Sequence, residues 1–155
     1  MAERFNYAKA FPEGVHALNG LGEAVKNSGL ESSLLELVKV RASQLNGCAF
    51  CIDMQTKDAR IDGETEQRLY ALSAWRETPF FSQRERAALA WTEALTNIQQ
   101  GHAADEVYEE ARSEFNESEL ARLTIAITLI NAWNRIAIAS RTEVGSYHPR
   151  PHAMA

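Results

Sequence analysis

Residues 120–140 read LARLTIAITLINAWNRIAIAS. They form a run without glycine or proline, apolar on nearly every side and without the alternation of a half-buried strand, so the stretch predicts a helix. From Asn116, placed to cap it, to Ser140 the helix spans about 35 Å at about 1.5 Å per residue. A helix this apolar around its circumference belongs at the centre of a bundle, or is shared with another subunit.

Working outward, the same period of three to four residues recurs along the chain. Val15, Leu18, Leu21 and Val25 mark a first helix, stopped at Ser28-Gly29. ESSLLELVKVRASQL (31–45) carries Leu34, Leu37, Val38 and Leu45 on one broad face and reads as a core helix, interrupted by Asn46-Gly47. A third helix begins near Cys48 and ends at Asp62-Gly63, and GETEQRLYALSAW (63–75) gives a fourth, broken before Thr78-Pro79. Ser82 and Glu85 make a capping box for a fifth helix, which carries Ala87, Trp91, Leu95 and Ile98 to Gly101. Val107, Ala111 and Phe115 mark a sixth. The expected fold is thus all-α, a single domain over residues 1–142 of about six to seven helices. Residues 143–155 (EVGSYHPRPHAMA) are expected to be a polar, proline-broken and poorly ordered tail.

Composition narrows the function. The chain has 155 residues, 45% of them hydrophobic and 24% charged, enough for one domain with its own core. The net charge is −5 and the 16 basic residues are scattered, which argues against nucleic acid as a partner, since phosphate binding needs a concentrated basic face. No purely apolar run approaches the roughly 20 residues of a membrane span, and MAERFNYAKAF (1–11) lacks the apolar core of a signal peptide. A cytoplasmic location is expected. In that reducing setting a Cys-x-x-Cys pair points to redox chemistry or to half of a metal site rather than to a structural staple. A structural zinc takes about four ligands, but there is no second cysteine pair. His16, His102, His148 and His152 all stand far from the first. No metal and no bound cofactor are expected.

The chemistry concentrates in NGCAFCIDMQTKDAR (46–60). A turn at Gly47 delivers Cys48 to the mouth of a helix, where free N–H groups and the positive dipole end favour a thiolate. Cys51, three residues on, lies within disulfide reach, so that one sulfur can attack an electrophile and the other resolve the product. The alternative is a pair of buried cysteines acting as small hydrophobes. At about 100° per residue, Gln55 returns to the face of Cys48 and Cys51. Glutamine there can hydrogen-bond but cannot serve as acid or base near neutral pH. Glu36 is a lone carboxylate among apolar residues on the preceding helix. It is either a solvated helix residue or, if desolvated, a carboxyl whose pKa rises toward the range of a general base.

Glu36, Cys48-Ala49-Phe50-Cys51, Gln55 and Ala59-Arg60, together with FFSQRERAALAWTEALT (80–96) and NAWNRIAIASR (131–141), resemble the AhpD alkylhydroperoxidase and carboxymuconolactone decarboxylase superfamily over most of residues 5–142. The resemblance implies an all-α fold, homo-oligomers of trimer or hexamer type, and thiol chemistry of the Cys-x-x-Cys pair: reduction of a peroxide or other small electrophile, with regeneration by a thiol or protein reductant, or disulfide oxidoreductase activity. It implies that Cys51 is the peroxidatic cysteine, Cys48 the resolving one, and Glu36 the carboxylate of the proton relay. Gln55 stands where the catalytic pattern has histidine, and Phe50 where a second histidine occurs, which implies weakened turnover. Two alternatives stay open: a lactone decarboxylase-like enzyme on the same fold, whose members generally lack the cysteine pair, and a non-catalytic redox sensor.

Overall fold

The computed structural model describes residues 1–150; residues 151–155, part of the expected tail and including His152, lie outside the described residues. Among the described residues the chain is all-helical, with eight α-helices and one 3-10 helix. They are α1 (Tyr7–Ala10), α2 (Pro12–Lys26), α3 (Ser32–Asn46), α4 (Ala49–Ile61), α5 (Glu66–Ala71), the 3-10 helix Leu72–Glu77, α6 (Gln83–Thr96), α7 (Asp105–Glu114) and α8 (Glu117–Ser140). This exceeds the expected six to seven for two local reasons. Asn6 caps a single extra turn, α1, its side chain accepting the Lys9 N–H, and Pro12 separates that turn from α2. The segment 63–75, expected as one helix, leaves α-helical geometry at Ala74 (φ −118°, ψ 30°) and tightens into 3-10 form.

Elsewhere the caps act as their sequence predicts. Ser82 and Glu85 form the reciprocal capping box of α6, and Asn116 and Glu119 form another at the start of α8.

α3, rather than α8, is the centre of the bundle. Its Leu34, Leu35 and Val38 pack with Ala87, Ala88 and Trp91 of α6 and Leu123, Ala126 and Ile127 of α8. Its opposite side places Leu37 and Val40 against Leu69, Leu72, Trp75, Phe81 and Leu89. By length and apolar composition α8 could cross a membrane, but α2, α3, α4, α6 and α7 pack against it. α8 still leaves Ile125 and Ile138 exposed, so this chain does not cover its whole apolar circumference.

Part of the expected tail, residues 143–150, lies among the described residues. Polarity and prolines suggested poor order, yet Tyr147 is half-buried and docks on α4 through two hydrogen bonds.

Candidate functional site

The α3–α4 corner builds the site. Gly47 ends α3 in the left-handed region (φ 67°, ψ 31°), which glycine enters without steric cost. Cys48 follows at once in extended geometry as the N-cap of α4, its N–H donating to the Ser43 carbonyl at 3.0 Å. Only two residues separate the helices, so the register of α4 is locked to that of α3. The Cys48 sulfur accepts the Cys51 backbone N–H at 3.3 Å, the role usually taken by a serine or aspartate oxygen at a cap. Cys48 and Cys51 are joined as a disulfide, and each is about 1% exposed. They pack with Ala137 of α8 and with Phe50.

Behind the corner lies a buried amide network that sequence reasoning missed. The Asn46 side-chain amide donates to Asn131 Oδ1 at 2.9 Å and to Asn134 Oδ1 at 2.8 Å, and Asn134 donates to Ser43 Oγ at 3.0 Å. Asn134 is fully buried. The network ties the end of α3 to the middle of α8 and so fixes the mouth of α4 from behind. A signal was present in the sequence: two asparagines one helical turn apart inside an apolar run.

The structure brings the four expected site residues into one region. A cleft of about 980 Å³ is lined by Cys51, Gln55 and Asp58 of α4, Glu36 and Lys39 of α3, and Trp133 of α8. Cys51, Gln55 and Asp58 recur at helical spacing, with Asp62 at the C-cap continuing the row, so one stripe of α4 faces this cleft. Cys48 lies behind it and does not line it.

Glu36 is not a solvated helix residue: it is 7% exposed. Its Oε1 accepts from Lys39 Nζ at 2.5 Å, while its Oε2 is buried with no hydrogen-bond partner. Burial pushes its carboxyl above the ordinary range; the Lys39 ammonium pulls the other way, and Asp58 and Asp62 add to the rise. Gln55 is likewise buried, and its Oε1 also lacks a partner. Two buried acceptors without donors thus line the same cleft, and a proton on Glu36 would supply one donor. Among the described residues no group of three or more His, Cys, Asp or Glu side chains is placed to hold a metal ion.

Known proteins resemble this chain in sequence and in fold. The model of the carboxymuconolactone decarboxylase family matches residues 12–94. The uncharacterised protein YdfG of Bacillus subtilis is 43% identical over 146 residues, covering 94% of this chain and 99% of that one. The crystal structure of a protein of unknown function from Agrobacterium tumefaciens, grouped by its name with the antioxidant defence protein AhpD, superposes with a TM-score of 0.90 at 44% identity. That match covers 94% of this chain and all of that one. The debrominase Bmp8 shares the fold at 20% identity, with a TM-score of 0.79 over 87% of this chain and 73% of its own. With a family model matched over more than half its length and a relative aligned end to end, the chain is a member of the carboxymuconolactone decarboxylase family with an AhpD-like fold.

Proposed function

We propose that the chain is a thiol-dependent hydroperoxide reductase, working through Cys51 and Cys48 and regenerated by a thiol or protein dithiol. The observation that carries this reading is the Cys48–Cys51 disulfide at the mouth of α4, with Cys51 on the wall of a cleft that also holds the buried carboxyl of Glu36.

The chemistry follows from that placement. In the reduced protein Glu36 takes the Cys51 thiol proton, directly or through one water. The Cys51 thiolate attacks the distal peroxide oxygen, the O–O bond breaks, and the leaving alkoxide takes the proton from Glu36 to depart as an alcohol. Cys51 is then a sulfenic acid. The Cys48 thiol attacks its sulfur, the S–O bond breaks, water leaves, and the disulfide forms. An external thiolate restores the pair by attacking Cys51, the sulfur on the cleft side. Cys48 leaves as a thiolate that the Cys51 N–H stabilises, and a second thiol of the reductant completes the exchange. The reaction needs no bound cofactor. A self-associated state, trimer or hexamer, is part of the same proposal and would cover the apolar side of α8 left open here.

The experiment is titration of the fully reduced protein with one equivalent of an organic hydroperoxide. The reading expects loss of two thiols per chain as an intramolecular disulfide, and no such loss in Cys51→Ser.

A further inference from the structure

Thiol–disulfide exchange needs a thiolate to approach a sulfur in line with the S–S bond, so access limits it as much as acidity does. Here both cysteines are about 1% exposed, and the cleft is the side from which Cys51 is reached. Tyr147, His148 and Arg150 line that cleft together with Cys51 and Glu36, although they follow α8, at the far end of the described chain.

They arrive there by a short reversal. Arg141 takes a left-handed conformation after α8, the Thr142 N–H returns to the Ala137 carbonyl at 3.1 Å, and Gly145 bends the chain at φ 94°. The next anchor is at Tyr147. Its hydroxyl donates to Asp58 Oδ1 at 2.6 Å, and its carbonyl accepts from Lys57 Nζ at 3.0 Å, an ammonium that also pairs with Asp53. Both anchoring side chains belong to α4, the helix whose N-cap is Cys48, and Asp58 lies on the cleft stripe of Cys51 and Gln55. Residues 143–146 between the anchors are exposed.

We propose that residues 143–150 form a strap latched across the cleft by Tyr147, and that its release is what admits a bulky thiol reductant to the Cys48–Cys51 disulfide. A segment fixed, among the described residues, by two polar contacts at Tyr147, with residues 143–146 in solvent, opens at far lower free energy than the helices it covers. The latch holds across the working pH range, because burial, the Asp58 acceptor and the negative charges of Asp58 and Glu36 push the Tyr147 phenol up to about 12. Small peroxides enter beside the strap; a protein dithiol must displace it.

This inference rests on the redox reading of the pair, but its test does not use peroxide. The oxidised protein is mixed with dithiothreitol or with reduced thioredoxin, and disulfide loss is followed by alkylation and mass spectrometry. Tyr147→Phe keeps the ring and removes the donor. It should speed reduction by thioredoxin about tenfold, as loss of one hydrogen bond to a charged acceptor does to an opening equilibrium, and speed dithiothreitol less. The double variant Lys57→Met/Tyr147→Phe, with an unchanged circular dichroism spectrum, should be faster still. A thioredoxin rate in both variants within about twofold of the parent, or slower, overturns the strap; about twofold is less than one lost hydrogen bond should give. A protein that consumes no hydroperoxide but shows the acceleration fails the peroxidase reading and keeps the strap.

Discussion

Thiolate attack on a peroxide needs an ionised sulfur within reach, whereas departure of the alkoxide needs a proton at the right moment. Glu36, on the wall of the cleft, is suited to carry that proton: it is buried, its carboxyl is raised, and one of its oxygens is unpartnered. Gln55 faces the same space and carries no titratable group. Gln55→His therefore adds an imidazole one turn from Cys51. It should raise steady-state hydroperoxide turnover, and with it the rate of the first thiol oxidation, by about tenfold, a conservative fraction of the 10²–10⁴-fold that placed acid catalysis typically contributes. Equal turnover in the two proteins would show that proton delivery does not limit the reaction.

At the level of elements the site depends on the two-residue corner between α3 and α4. Gly47 sits at φ 67° with open space where a Cβ would stand, so Gly47→Ala meets no clash and isolates the backbone term. The variant should lose about 1 kcal/mol in denaturant unfolding at unchanged m-value. Undiminished stability would mean the corner is not held in the left-handed form. This corner was legible in the sequence because Asn46-Gly47 is a helix stop followed directly by a cap position, and so were the capping box at Ser82 and the cap at Asn116. The break at Ala74 was not, since 63–75 keeps helical periodicity and only tertiary packing tightens its second half. The Asn46–Asn134–Ser43 network was hidden for a related reason: each amide reads as an ordinary polar residue until α3 and α8 are brought together. Tyr147 was hidden because its partners lie 89 residues away on α4.

Across the whole molecule, α8 reads in sequence either as the central helix or as one shared with another subunit; α3 holds the central place, and α8 keeps exposed Ile125 and Ile138. A second copy of the chain would bury these side chains at about 25 cal/mol per Å² of apolar surface. Light scattering at micromolar concentration should give a mass near three or six times 17.3 kDa, and a mass near 17.3 kDa would contradict the association. The account as a whole turns on which sulfur meets the peroxide. Cys51 faces the cleft and Cys48 lies behind it, so with Cys48 replaced by serine the oxidised cysteine has no partner to resolve it. The decisive measurement is trapping of sulfenic acid in Cys48→Ser after one equivalent of hydroperoxide, read by dimedone adduct mass. The account predicts one adduct per chain, on Cys51, and none in Cys51→Ser; an adduct on Cys48 in Cys51→Ser, with Cys51 unreactive in Cys48→Ser, would contradict it.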